Sequence, residues 1–299
     1  MNYYVVFDVG GSSIKYALMN GAGDFLEKSS IKTPKDNLNE FIGVIDSVVK
    51  KFQADKPISG IALSLPGAVN PEVGNIEGAS AVPYIHGPNI KELLQEKTKL
   101  PVEMENDANC AGLAEGWLGA AKENKDYICI VIGTGIGGAL VLDKKVRHGK
   151  NLHGGEFGYM ILQNYLDRPL GESWSSLGST GALVRKVAKR KELDADLLDG
   201  KKVFEMADNG DEEVQDEISQ FVKHIAVGIL NLQYAIDPEK ILIGGAISNR
   251  EGFIDQINKT LAEMRSNVHS LNVQVERCQF GNDSNLIGAL YNFFQRTAI

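Results

Sequence analysis

Cysteine is scarce in this chain. Cys110, Cys129 and Cys278 are the three among 299 residues, widely spaced and without a CxxC pair. No disulfide framework can be read from them, and reduced, buried thiols are expected. Basic charge is not in excess: 31 Lys and Arg stand against 39 Asp and Glu, for a net charge of -8, and no basic block occurs. A nucleic-acid partner is therefore not expected. Acidity does not bar ATP, because a local cation, a metal ion and backbone N–H groups can hold phosphate. No apolar run approaches the length of a bilayer span. The opening MNYYVVFDVGG lacks the basic flank and long apolar stretch of a secretion signal. No membrane partner and a cytoplasmic location are the expectations. The P-loop pattern G-x-x-x-x-G-K-[ST] is absent, as are H-R-D and D-F-G, which removes the protein-kinase reading of any glycine loop.

What is present is an ordinary globular composition, 43% hydrophobic and 23% charged, in a length suited to about two domains. Val5–Val9 and Ile14–Asn20 read as strands joined by a short turn, and Gly23–Phe25 marks another turn into a third strand. Leu38, Phe41, Ile42, Ile45, Val48, Val49 and Phe52 recur at helical spacing, with Asp36 or Asn37 as the cap and Lys50 and Lys51 at the far end. ISGIALSL is a buried strand stopped by Pro66–Gly67. LPVEMENDANCAGLAEGWLGAA reads as a strand running into a helix. YICIVIGTGIGGALVLDKKVRHG repeats the opening theme of strand, glycine turn, strand, turn, strand. A long helix over EEVQDEISQFVKHIAVGILNLQYAIDP, a strand at KILIGGAIS and helices at Glu251–Met264 and SNLIGALYNFFQRTA complete the pattern. Two halves, each opening with a glycine-tipped hairpin, suggest a duplicated α/β unit.

Three glycine turns follow apolar strands: DVGGSSIK, IGTGIGG and IGGAIS. Gly133–Gly138 matches G-x-G-x-x-G, but a strand follows it where the dinucleotide fingerprint requires a helix. What remains is a hairpin turn that either packs tightly without a ligand or points N–H groups at an anion. Glycine removes the Cβ and admits phosphate oxygens to the backbone, and three such turns in two halves suggest a nucleotide. In ENDAN, Asp107 falls where the strand ends and the helix begins. It reads as a helix N-cap, kept ionised by the helix dipole. An ionised carboxylate there also suits a base taking a proton from a sugar hydroxyl, and Asn106 can both donate to and accept from a diol.

At this point the ordered motifs resemble the ROK sugar kinases, glucokinase-like or β-glucoside kinase-like, within the actin, hexokinase and heat-shock ATPase superfamily. FDVGGSSIK resembles the family's first phosphate motif, SLPGAVNPEVGNI its P-G-x-V-[DN] segment, and ENDANCAGLAE its catalytic N-D-A-N motif. IGTGIGGALVLD resembles the second phosphate motif, GGEFGYM the sugar-binding A-G-E-x-G-H segment, and LIGGAIS the adenosine motif. The resemblance implies an actin-like ATPase (ribonuclease H-like) fold of duplicated domains with an interdomain cleft. It places residues 1–117 plus 284–299 in one domain and 118–283 in the other, with the terminal helix packed on the first. It implies ATP-dependent phosphorylation of a hexose hydroxyl, usually the 6-OH, with Mg²⁺, and a homodimer. Asp107 is implied as general base and Asn106 as sugar ligand. Gly67, Ser80 and Glu156 fall at sugar-contacting positions. Asp8, Gly10, Gly11, Ser12 and Lys15 fall in the first phosphate motif, with Asp8 reaching the metal through water. Gly133, Thr134 and Gly135 fall in the second, and Gly244 and Gly245 fall by the adenosine.

The pattern breaks in one region. Tyr159 stands where most members have a histidine, and ILQNYLDRPLGESWSSLGSTGALV has no cysteine where they carry C-x-C-G-x-x-G-C for structural zinc. Zinc needs four good ligands, so none is expected; His148 and His153 read as loop or surface residues, and Trp174 as the loop's packing anchor. In the family, the histidine and a later glutamate contact the sugar near C1 and C2. Tyr159 offers only a phenol; Glu172 is nearby, while the register points to Ser175 or Ser176. A relaxed site around O1 follows as an expectation, open to a β-glucoside or an N-acylhexosamine such as N-acetylmannosamine. Two other functions compete. A sugar-responsive ROK regulator carries a helix-turn-helix before its D-x-G-G motif, and Asp8 comes too early here to leave room for one. A sugar-binding protein with a dead site would not need Asp107 and both phosphate turns.

Overall fold

The computed structural model describes residues 2–163, 172–265 and 272–297. The chain groups into two units: Met1–Gly119 with His148–Gly154 and Asn282–Ile299, and Ala120–Arg147 with Gly155–Gly281.

The first unit opens with β1 (Tyr3–Val9), β2 (Ser13–Asn20) and β3 (Phe25–Lys32), an antiparallel meander in which Val9 faces Ile14 across the first turn. Helix α1 (Leu38–Gln53) follows, its first N–H groups taken by the side chain of Asn37. It buries Phe41, Ile45, Val49 and Phe52 and leads into β4 (Ile58–Leu65). A small hairpin, β5 (Ala68–Asn70) and β6 (Asn75–Glu77), and α2 (Ile90–Thr98) precede β7 (Val102–Asn106). The sheet order is β3-β2-β1-β4-β7, with β1, β4 and β7 parallel. Val5, Val6, Phe7, Ile61, Leu63 and Leu65 are all buried. Central parallel strands covered on both faces read as unbroken apolar runs for this reason.

Strand β7 passes directly into α3 (Asp107–Trp117). The chain's last helix, α9, packs on this unit, and its own range is Ser284–Thr297. Gly288 lies so close to the carbonyl of Cys110 that a Cβ would collide with it, and Phe293 occupies the space a Cβ on Gly60 would need. Asn292 Nδ2 donates to Met104 O at 3.2 Å, and Tyr4 meets Phe294 edge to face at 5.0 Å between ring centroids.

The second unit repeats the plan. β8 (Tyr127–Ile132), β9 (Ile136–Leu142) and β10 (Lys145–Val146) form an antiparallel meander. β11 (Ile161–Gln163) pairs with β12 (Glu172–Ser173); residues 164–171 of the cysteine-free segment lie outside the described residues. Four helices follow: α4 (Trp174–Gly178), α5 (Thr180–Arg190), α6 (Gly200–Asp208) and the long α7 (Glu212–Ile236). Then come β13 (Lys240–Gly244), α8 (Phe253–Met264) and β14 (Val275–Arg277). The sheet order β10-β9-β8-β13-β14, with β8, β13 and β14 parallel, reproduces that of the first unit strand for strand. This is the duplicated α/β plan expected from the two glycine-tipped hairpins. Among the described residues no helix is long and apolar enough to cross a membrane.

Candidate active site

The end of β7 and the start of α3 carry the densest polar network of the first unit. Asn106, not Asp107, is the N-cap: its Oδ1 accepts from Asn109 N at 3.1 Å. Asp107 is the first helical residue, which corrects the reading of it as the cap. The reason is geometric. A cap accepts from the N–H two or three residues on, and Asp107 Oδ1 instead accepts from its neighbour Ala108 N at 2.8 Å and from Asn106 Nδ2 at 3.0 Å. The dipole argument survives, because negative charge is favoured throughout the first turn. Asn106 Nδ2 also donates to Gly67 O at 3.0 Å. Gly67 has φ of 99°, and a Cβ on it would lie 3.1 Å from His86 Cε1. His86 Nε2 in turn lies 2.7 Å from Ser80 Oγ, which also accepts from Val82 N. Hydrogen bonds thus join Gly67, Asn106 and Asp107 in one group. Ser80 pairs separately with His86, a residue that no sequence motif marked, whose ring lies beside Gly67 without a hydrogen bond to it.

Glu105, Asn109 and His148 were also missed. Glu105 is 1% exposed. Its Oε1 accepts from Asn106 N at 2.7 Å and Asn109 Nδ2 at 2.9 Å, and its Oε2 lies 2.7 Å from His148 Nε2. His148 is a loop residue, as expected, but half-buried against Glu105 of β7 rather than a surface residue. Burial lowers its imidazole pKa, but the hydrogen bond and charge of Glu105 outweigh that, so the group sits above the ordinary histidine value. Arg296 opposes this rise and Glu72 assists it. Burial pushes the Cys110 thiol well up, with the charges of Glu105, Asp8 and Asp107 adding to it, which suits an inert core thiol. Cys129 is buried, and its sulfur lies 3.5 Å from that of the half-buried Cys278, with no disulfide between them.

Asp8, near the end of β1 beside the first glycine turn, is 8% exposed. Its Oδ1 accepts from Ser64 Oγ and Asn285 Nδ2, each at 3.0 Å, and its Oδ2 lies 3.4 Å from Lys15 Nζ, its cross-strand partner. The Gly10–Gly11–Ser12 turn is exposed, and is pinned from below by Thr33 Oγ1 donating to Gly10 O at 2.6 Å. A carboxylate held in place beside an open glycine turn fits Mg²⁺, which keeps several waters and takes only one or two protein carboxylates beside substrate phosphates. Among the described residues no group of three or more His, Cys, Asp or Glu side chains is placed to hold a metal ion by itself.

In the second unit the Gly133–Thr134–Gly135 turn rests on the start of α5, Gly181 N donating to Gly133 O at 3.2 Å. A Cβ on Gly133 would meet nothing within 4 Å, and one on Gly135 only Ser175 Oγ at 3.5 Å. Packing does not demand glycine at either position, and the open space suits a ligand that approaches the backbone. Gly244 and Gly245 differ. Gly245 has φ of 91°, and a Cβ would collide with Ile132 O; on Gly244 it would lie 3.2 Å from Cys278 Sγ. The fold alone accounts for Gly245, whereas at Gly244 a Cβ would meet only one tight side-chain contact.

Glu156 precedes a short 3-10 turn, Phe157–Tyr159, and Tyr159 ends it. Gly155, with φ of 93°, brings its backbone against Gly138 O, and Gly158 packs against Ile136 O. This pins the turn to β9 and leaves Glu156 exposed and Tyr159 76% exposed. Ser175, one candidate for the family's later glutamate, is committed to the framework: its Oγ accepts from Ile136 N at 2.8 Å. Ser176 Oγ donates to Ser173 O, and Trp174 between them is completely buried, anchoring the segment as expected.

Three comparisons bear on this site. A beta-glucoside kinase from Klebsiella pneumoniae is 32% identical over 97% of this chain and 95% of its own. One from Listeria monocytogenes is 33% identical over 97% and 96%. The crystal structure of a ROK family protein from Streptococcus pneumoniae, in complex with sucrose, is 38% identical, covers 99% of both chains and has a TM-score of 0.90. That likeness gives the fold as the actin-like ATPase fold of ROK sugar kinases. The ROK family model matches residues 4–296, so the chain belongs to the ROK family.

Proposed function

We propose that this chain is a sugar kinase that moves the γ-phosphoryl group of ATP to a hydroxyl of a hexose, the 6-OH, with Asp107 as general base. The observation that carries the reading is the setting of Asp107: first residue of α3, its carboxylate held by Asn106, which is itself tied to Gly67 O. Asp107 takes the proton of the sugar hydroxyl as that oxygen attacks the γ-phosphorus. The new O–P bond forms while the bond from the γ-phosphorus to the β–γ bridging oxygen breaks, and ADP leaves with that electron pair. Such transfers depend on positioning and charge neutralisation more than on covalent help. Asn106 and Ser80 orient the sugar, with Glu156 and Tyr159 as further sugar ligands. The turns at Gly10–Ser12 and Gly133–Gly135 offer N–H groups to the phosphates, Gly244 and Gly245 lie by the adenosine, and Lys15 adds a positive charge. Asp8 would hold Mg²⁺ through water, and the bound ion would supply neutralisation of phosphate charge.

The acceptor is a β-glucoside or an N-acylhexosamine, bound at a site relaxed around O1. Tyr159, exposed and limited to a phenol, replaces a residue that in similar proteins contacts the sugar near C1. Two relatives named as beta-glucoside kinases and one solved with sucrose, a sugar with no free anomeric hydroxyl, support an acceptor site tolerant there. A turnover panel with Mg-ATP tests this. Methyl β-glucoside or N-acetylmannosamine should be phosphorylated with a kcat/KM at least equal to that of glucose. Glucose turned over far better than either would refute the relaxed site, and no turnover with any sugar would leave a sugar-binding protein.

A further inference from the structure

Glu105 is a deeply buried carboxylate two residues before the candidate base, and the reaction scheme above gives it no chemical task. An ion of this kind costs several kcal/mol to bury and persists only with strong partners. Its partners are informative. Oε1 collects the backbone N–H of Asn106 and the side-chain amide of Asn109, one residue before and two residues after Asp107. Oε2 takes His148. The Asn106 side chain then caps α3 and holds Asp107 Oδ1. Glu105 thereby fixes the residues on both sides of Asp107, and His148 fixes Glu105. The His148 donor arrives on a segment of its own: residues 148–154 group with the first unit, while the residues before and after them group with the second. Gly154 N donates to His148 O at 2.8 Å, closing that segment into a loop.

We propose that His148 and Glu105 form a positioning pair that sets the carboxylate of Asp107 for proton removal, a role that rests on the reading of Asp107 as base. Neither residue touches the reacting atoms. Removing the His148 donor leaves Oε2 of a buried carboxylate unpartnered on that side. The carboxylate must then turn toward water, which releases Asn106 and Asn109 together. Displacing a base by about 1 Å can cost ~10²-fold in rate without abolishing substrate binding.

The test is steady-state turnover with Mg-ATP and the best sugar of the panel, on His148→Ala, His148→Gln, Glu105→Gln and Asp107→Ala, with thermal unfolding alongside. His148→Ala should lower kcat ~10²-fold while sugar KM stays within ~3-fold, the signature of an interaction realised in the transition state. His148→Gln keeps an N–H donor and should restore kcat to within ~3-fold of wild type, which a requirement for packing volume alone would not produce. A wild-type kcat in His148→Ala while Asp107→Ala is inactive overturns the pair and leaves the base standing. So does a loss confined to sugar KM, or equal losses in the alanine and glutamine variants. If His148→Ala does not fold, Glu105→Gln decides: it keeps an acceptor oxygen without the charge, and a kcat equal to wild type overturns the proposal. If Asp107→Ala turns over at the wild-type rate, the base reading fails and the pair falls with it.

Discussion

Gly245 and Gly133 each directly follow a strand, yet a methyl group would do different things at each. At Gly245 the backbone has φ of 91° and a Cβ would collide with Ile132 O, so alanine forces the chain to move. Gly245→Ala should cost more than ~1 kcal/mol, as alanine does where φ is positive, seen as a lower urea midpoint. At Gly133 a Cβ meets nothing within 4 Å. Gly133→Ala should unfold with the wild-type midpoint and show a raised KM for ATP. An unchanged ATP KM would make that turn a mere hairpin tip. The contrast also shows what a sequence holds at this scale. Spacing marked both glycines equally, because it records identity and not the space around a backbone. Asp107 and Asn106 were legible as a pair of polar residues at a strand–helix boundary, but which one caps depends on a rotamer. Glu105 and His148 lie 43 positions apart, and only the folded chain joins them.

Helix α4 is five residues long and would not hold its shape alone. Trp174 at its start is buried against α7, where a Cβ on Gly228 would collide with the indole ring. Its Nε1 has no hydrogen-bond partner among the described residues. Trp174→Ala should therefore cost ~3–5 kcal/mol, as aromatic-to-alanine core changes do. Trp174→Phe removes the orphan donor along with a smaller volume and should cost clearly less. Equal losses in urea denaturation would contradict the packing account. Elements with long apolar periodicity, such as α1 and α7, or with unbroken apolar runs, such as β1 and β8, were legible in the sequence. Apolar spacing alone passed over α5 and α6, although Ser179 and Asp199 each accept from an N–H three residues on, at Ala182 and Lys202. The β5–β6 hairpin and β14 went unread because three residues carry too little pattern to separate a strand from a turn.

At the scale of the whole molecule, two units share one strand order, and each places a glycine turn between its first two strands. The repeat was legible from the two hairpins and not from residue identity, because the halves share topology and little sequence. Family membership and fold follow from the ordered motifs together with the comparisons. The most direct measurement is ATP-coupled turnover of Asp107→Ala on the best sugar of the panel, with sugar binding followed by calorimetry on the same preparation. Removal of a general base predicts a loss of ~10²–10⁴-fold in kcat with sugar binding kept. Turnover at the wild-type rate would contradict the account.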